Sequence, residues 1–367
     1  MIKNYNVLLE RLNKRMNPDG IILNKSFSDE LRSIPQKGIF LYIRNAMHGV
    51  EPEYTQKSLE AGRKVRDRLK DELNNVSFEF QGSVMTNTHI QGYSDIDLLT
   101  ICEKFYTFDR DGISKTLNSF EQSLQLNSEQ KSRLSNALSG GGYLYSNSDL
   151  RQQRLDCERI LKNAYTNTNI EKPKSIKVGL TSPKRDVDVV IANWYKNANF
   201  YIKDDKKYLG IKVFVKGDEP YQDTELKPDF PFLSITRINE KDVMVNGRLK
   251  KMIRFLKTVK ADSDNSEDFK LSSFDFNAIC YDINTMSYYD KNYLDLVFVV
   301  LKQLENLANS NTSRNNLKSV DGNEFIFRND DGSENSEKVQ SLRWMINEIN
   351  AIIRDLYMES PNQRIAV

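Results

Sequence analysis

Apolar residues recur in two rhythms along this chain. Between 53 and 75 they return every four positions, at Ala61, Val65, Leu69 and Leu73, with charged residues between them. That spacing predicts a helix with one buried stripe. From Val76 the period becomes two. Val76, Phe78 and Phe80 point one way and Ser77 and Glu79 the other, predicting a strand that ends at the small, polar break Gln81-Gly82-Ser83. A second strand is predicted over 95–101. Ile176, Val178 and Leu180 alternate, Pro183 marks a turn, and 186–191 alternates back, which predicts a hairpin.

Strands are therefore expected between about 76 and 215, with a helix over 151–165. Beyond 220 the helical rhythm returns. Leu249, Met252, Ile253, Leu256 and Val259 mark a helix over 247–260, and 291–308 and 338–357 read the same way. The stretch 103–150, rich in Ser, Asn and Gln and holding Gly140-Gly141-Gly142, reads as helix plus a long loop. Segments 261–268, 309–316 and 328–337 read as solvated loops, and residues 1–51 show neither rhythm cleanly. The expected architecture is α+β with two lobes: a mixed-sheet lobe over 1–210 and a mostly helical lobe over 211–367.

Composition narrows the classes. The 367 residues carry 53 Lys and Arg against 51 Asp and Glu, a net charge of +2. That gives no global attraction to a polyanion, so any basic site must be local. The apolar run Leu294–Leu301 is interrupted by Asp295 and is far too short to span a bilayer. The opening Met-Ile-Lys-Asn-Tyr-Asn lacks the apolar core of a signal peptide. Three scattered cysteines and two histidines supply neither a disulfide framework nor a zinc ribbon. The expectation is a cytoplasmic protein with no membrane partner.

The candidate chemistry lies in Asp95-Ile96-Asp97. Side chains two apart in a strand share a face, so two carboxylates would sit together beside the apolar Leu98 and Leu99. An exposed edge strand is the bland alternative. Asp186-Val187-Asp188 repeats the pattern farther along. If the two strands pair, the acids converge, and an oxygen-only cluster suits Mg²⁺ or Mn²⁺. Gly82-Ser83 could then let a phosphate approach the backbone, at the start of a following helix.

These residues resemble the DNA polymerase β-like nucleotidyltransferases: strand, Gly-Ser, a spacer, Asp-h-Asp-h and a later h-Asp-h, where h is apolar. Within that superfamily the chain looks most like the CD-NTases, the bacterial relatives of cyclic GMP-AMP synthase, through Gln81-Gly82-Ser83, Thr86-Asn87-Thr88 and Gly92-Tyr93-Ser94-Asp95-Ile96-Asp97. The resemblance implies that Asp95, Asp97 and Asp188 hold two Mg²⁺ or Mn²⁺ ions, with Asp186 competing for the third place. It implies that Gln81, Gly82 and Ser83 meet phosphate. Lys250, Arg254 and Lys257 form one stripe in a locally basic stretch, where Lys241, Arg248, Lys251 and Lys260 face Asp242 as the lone acid between 241 and 260. Such a stripe is commonly a solvated face, but the resemblance implies a triphosphate contact. Ser273 and Phe274 correspond to a serine that touches phosphate and a ring that stacks on a base; Phe274 could equally be core.

The implied activity joins nucleoside triphosphates, ATP foremost with GTP or a pyrimidine triphosphate as further candidates. A sugar hydroxyl attacks the α-phosphorus, pyrophosphate leaves, and a second round closes a ring, most simply a cyclic dinucleotide. The product would be a second messenger of anti-phage (CBASS) defence, read by a separate effector. A monomer without an obligatory nucleic-acid activator is expected. The same core also serves transferases that act on an RNA end, a linear oligoadenylate or a small molecule. The residues leave base, ring size and linkage open.

Overall fold

The computed structural model describes residues 3–19, 35, 38–92 and 94–359. In chain order, α1 (Tyr5–Met16), α2 (Gly38–His48) and α3 (Pro52–Lys70) lead into β1 (Val76–Gln81) and β2 (Ile96–Phe108). Four helices follow: α4 (Arg110–Asn118), α5 (Phe120–Leu124), α6 (Ser128–Ser139) and α7 (Ser146–Ala164). Next come β3 (Thr168–Asn169), β4 (Ile176–Thr181), β5 (Lys184–Lys196), α8 (Ala198–Lys203), β6 (Gly210–Val215) and β7 (Thr224–Glu225). The remainder is helical: α9 (Pro231–Met244), α10 (Arg248–Asp262), α11 (Ser273–Asp282), α12 (Asp295–Asn309), α13 (Asn311–Asn316) and α14 (Ser336–Glu359).

The chain divides into two compact units, but not at a single break near 210. One unit comprises 56–85 and 94–236; the other takes the described parts of 1–55, 86–93 and 237–367. Helices α1 and α2, expected in the first lobe, belong to the helical unit because their apolar residues share its core, whereas α3 from Gln56 on stays with the sheet. Strands β6 and β7 stay with the sheet unit.

In the sheet unit the strand order is β1-β2-β5-β4-β3, with β6 on β5 and β7 on β6. Strand β5 runs parallel to β2 and antiparallel to β4 and β6, so the α+β fold has a mixed sheet. Two-residue periodicity separates its faces. Ile96, Leu98, Cys102, Val187, Val189, Ile191 and Val178 join Ala61, Val65 and Leu69 of α3 and Leu150, Cys157 and Leu161 of α7 in one core. Gly62 permits the close approach of α3: a Cβ there would lie 2.7 Å from the Phe80 ring. The opposite face carries a smaller cluster of Leu99, Ile101, Val190, Ala192, Trp194 and Ile211. Asp97, Asp188 and Lys177 fall on that second face by alternation.

Several boundaries differ from the sequence expectation. Strand β2 runs on to Phe108, Asp95 lies just before it, and 103–150 holds four helix starts rather than a helix and a long loop. Part of 309–316 is helix α13, capped by Ser310, whose hydroxyl accepts from the Ser313 amide at 3.1 Å.

The core of the helical unit joins Leu8 and Leu12 of α1, Ile39 and Ile43 of α2, Leu249, Met252, Ile253 and Leu256 of α10, and apolar residues of α11, α12 and α14. Polar ties seat α1 within it. Arg15 donates to Asp262 at 2.8 Å, Tyr42 Oη donates to the same carboxylate at 3.0 Å, and Tyr5 Oη donates to Asp355 at 2.9 Å.

Candidate active site

Strand register brings the acids together. Asp97 on β2 pairs with Asp188 on β5, Gln81 on β1 pairs with Asp97, and Lys177 on β4 pairs with Asp188. Gln81, Asp97, Asp188 and Lys177 thus form one row across four neighbouring strands, with side chains on one face. Gly82 closes the β1 end of the row. Its φ is +90°, and a Cβ there would lie 2.6 Å from Asp97 Oδ2. Only glycine fits both the backbone and the carboxylate. Half-buried Ser83 starts a run of turns rather than the expected helix, with the Met85 amide donating to the Gly82 carbonyl at 3.2 Å.

Asp95 is exposed and held from both sides. Buried Ser58 donates to the Ser94 carbonyl at 3.0 Å, and buried Arg185 donates through Nε to Ser58 Oγ at 3.2 Å, fixing the backbone before Asp95. Lys177 Nζ donates to Asp95 at 3.0 Å and pairs with Asp186 at 2.8 Å. The sequence reading missed Lys177, although the hairpin could have exposed it: counting back from the Thr181–Lys184 pair places Lys177 opposite Asp188. Asp186, the competitor for the third place, faces this lysine.

The electrostatics of the row are those of crowded negative charge. Burial pushes the Asp97 carboxyl up to about 6, and the nearby Asp188 and Asp95 charges add to that rise. Asp188 is also raised, first by burial, while Lys172 and Lys177 pull it the other way. Asp188 Oδ1 is buried and accepts no hydrogen bond. An acceptor without a donor beside a repelled carboxylate is a surrounding that a hard divalent cation would satisfy. Asp97 and Asp188 fit such an ion, whereas Asp95 is bonded to Lys177. Among the described residues no three acids, histidines or cysteines stand ready spaced for a cation. The expected three-acid set is thus brought only partly together.

The other predicted residues belong to the helical unit. Arg254 and Lys257 are buried rather than lining a solvated face. Arg254 donates through Nε to the Met47 carbonyl and through Nη1 to the Asn87 carbonyl, each at 2.7 Å. Lys257 Nζ donates to the Thr88 carbonyl at 2.9 Å. Gly49, at φ +83°, makes room for Arg254: a Cβ there would lie 2.4 Å from Arg254 Cδ. Lys250 is half-buried and lies 3.6 Å from Asp242. Lys250, Arg254 and Lys257 therefore all have protein partners, and the last two anchor the 87–88 backbone.

Ser273 and Phe274 open helix α11. Ser272 caps it, accepting from the Asp275 amide at 3.3 Å while Asp275 accepts from the Ser272 amide at 2.6 Å. Ser273 is exposed in the first turn. Because the segment is helical, Phe274 and Phe276 do not share a face: Phe276 is buried, and Phe274 packs half-buried at the core margin. Tyr93 lies outside the described residues.

Comparison with known proteins gives this geometry a setting. The family pattern for the cGAS/DncV-like nucleotidyltransferase C-terminal helical domain matches residues 236–354. A c-di-GMP synthase of Capnocytophaga granulosa is 44% identical over 357 residues, covering 96% of this chain and 98% of that protein. The chain belongs to the CD-NTase family, and it is a nucleotidyltransferase. A c-di-GMP synthase of a Lachnospiraceae bacterium is 37% identical over 356 residues, covering 96% of this CD-NTase and 98% of its relative. Among solved structures, the STING-associated CdnE c-di-GMP synthase from Flavobacteriaceae sp. matches with a TM-score of 0.86 at 39% identity, over 98% of this chain and 99% of that one. No helix among the described residues is long and apolar enough to cross a membrane.

Proposed function

We propose that this CD-NTase joins two molecules of GTP into cyclic di-GMP, releasing two pyrophosphates. One observation carries this reading above the others: relatives 44% and 37% identical over 96% of the chain are both named c-di-GMP synthases. The reading narrows the sequence expectation, which put ATP first.

In the first round a sugar hydroxyl of one GTP attacks the α-phosphorus of the other. An O–P bond forms, the bond to pyrophosphate breaks, and the hydroxyl proton is lost. In the second round the free hydroxyl of the linear product attacks the remaining α-phosphorus and closes the ring. Asp97 and Asp188, side by side on β2 and β5, would hold Mg²⁺ or Mn²⁺, with Asp95 as third ligand. The bound cations would polarise the attacking hydroxyl and neutralise charge on the leaving pyrophosphate. Gly82 leaves the backbone open to a phosphate oxygen, and Gln81 and Ser83 flank that approach. Position and charge carry most of the catalysis in such transfers. Ser273 would offer its hydroxyl, and the first turn of α11 its amides, to a phosphate, and Phe274 would stack on a base. Lys250 is proposed as the triphosphate contact of the basic helix. Arg254 and Lys257 are proposed to serve through the 87–88 backbone they hold.

The product would act as a second messenger. Because the matched Flavobacteriaceae enzyme is STING-associated, the proposed effector is a STING-like receptor in anti-phage defence, and the enzyme is proposed to work as a cytoplasmic monomer without a nucleic-acid activator. The test is incubation of the full chain with each ribonucleotide alone and in pairs, with Mg²⁺, and mass spectrometry of the products. GTP alone should give cyclic di-GMP. A mixed cyclic dinucleotide as main product, or linear chains only, would overturn the reading.

A further inference from the structure

We propose that Lys177 is a built-in competitor for the divalent-cation site: its ammonium holds Asp95 against Asp186 and must yield Asp95 before that carboxylate can turn to a metal. This rests on the reading of Asp95, Asp97 and Asp188 as metal ligands.

Geometry puts the lysine at the centre of the acids. It pairs in register with Asp188, donates to Asp95 at 3.0 Å and pairs with Asp186 at 2.8 Å. Asp97, the neighbour of Asp188 on β2, completes a group of four carboxylates with one ammonium among them. Gly179, opposite Asp186, makes room for the Asn167 side chain beside this pair: a Cβ there would lie 2.1 Å from Asn167 Nδ2 and 3.3 Å from Asp186 Oδ1. Asp186 thereby gains a role distinct from metal ligation. It anchors the far side of Lys177, so that the lysine is shared and Asp95 is held less tightly than by a lone partner. The three side chains are each 30–41% exposed, so solvent screens the pair and leaves it exchangeable. A divalent ion brings twice the charge and can be shared among several acids, so it can displace the ammonium. The lysine would keep the acids from repelling one another before nucleotide and metal arrive together.

The experiment is a Mn²⁺ titration of the full chain without nucleotide, with free Mn²⁺ read by electron paramagnetic resonance. Lys177→Met should bind Mn²⁺ at least tenfold more tightly than wild type, and Lys177→Gln should do the same if the methionine variant does not fold. Tenfold corresponds to about 1.4 kcal/mol. Lys177→Arg keeps the charge and should stay within about threefold of wild type. Asp186→Asn leaves the ammonium wholly to Asp95 and should weaken binding several-fold. In an Asp95→Asn background the gain from Lys177→Met should shrink below threefold, because the contested carboxylate is gone. Unchanged or weaker binding by both Lys177→Met and Lys177→Gln, with Asp188→Asn still abolishing tight binding, would overturn the competitor role and leave the metal site standing. Wild-type binding indifferent to both Asp97→Asn and Asp188→Asn would overturn the metal assignment and this proposal with it.

Discussion

Asp97 and Asp188 stand opposite each other on parallel neighbouring strands, 91 positions apart in the chain and on one face of the sheet. The apolar positions around them dictate the pairing. Leu98 and Val189 face the core shared with α3 and α7, so each acid faces the other side. A one-residue slip of either strand would bury its acid in that core, and burial of an unpaired charge opposes the slip.

The first prediction concerns the turn beside this pair. Gly82→Ala places a Cβ 2.6 Å from Asp97 Oδ2 at a φ of +90°. Backbone strain of about 1–3 kcal/mol should lower the melting temperature modestly, while the displaced carboxylate should cut GTP turnover more than tenfold. Melting curves and pyrophosphate release check this. Full activity in Gly82→Ala would show that Asp97 does not depend on the glycine.

Gly49 and Arg254 should fail together. Gly49→Ala drives a methyl into Arg254 Cδ, and the guanidinium then loses its hold on the Met47 and Asn87 carbonyls. A loss of about 3 kcal/mol is expected from strain and the broken charge-assisted bonds. Arg254→Lys should not restore stability, because an ammonium lacks the fork that reaches two carbonyls. Denaturant unfolding of the single and double variants tests this. Additive losses for Gly49→Ala and Arg254→Ala would contradict a shared mechanism.

Lys257 gives a pH signature. Burial, aided by the neighbouring Arg254 charge, pushes its ammonium down to about 8 from the ordinary lysine value of 10.5. Between those values the unfolded chain binds more protons than the folded one, so this residue makes stability rise with pH across that window. The limit is on the order of 3 kcal/mol. The melting temperature of wild type should therefore gain on that of Lys257→Met between about pH 8 and about pH 10.5. A constant difference would show that Lys257 titrates normally.

Some of this was readable from residue order and some was not. The hairpin was legible because alternation on both arms and Pro183 fix its register. The acidic strands were legible because carboxylates between β-branched neighbours are costly without a function. The place of α1 and α2 was not. Helix α2 is almost wholly apolar over Ile39–Ile43, so it lacks the polar face that marks a helix period, and its partner α10 is about two hundred residues away. Arg254 and Lys257, expected to meet a triphosphate, were not legible as buried groups because nothing local predicts that carbonyls of Met47, Asn87 and Thr88 would cover them. The different faces of Phe274 and Phe276 follow from the helix that the Ser272–Asp275 capping box starts, a signal the two aromatic positions do not carry by themselves.

The most direct test of the central claim is pyrophosphate release from GTP and Mg²⁺ by wild type, Asp97→Asn and Asp188→Asn, each checked for an intact fold. Both variants should fall more than a hundredfold, since each removes a charge from the paired row without changing its shape. Undiminished turnover in either folded variant would contradict the claim that this register pair carries the reaction.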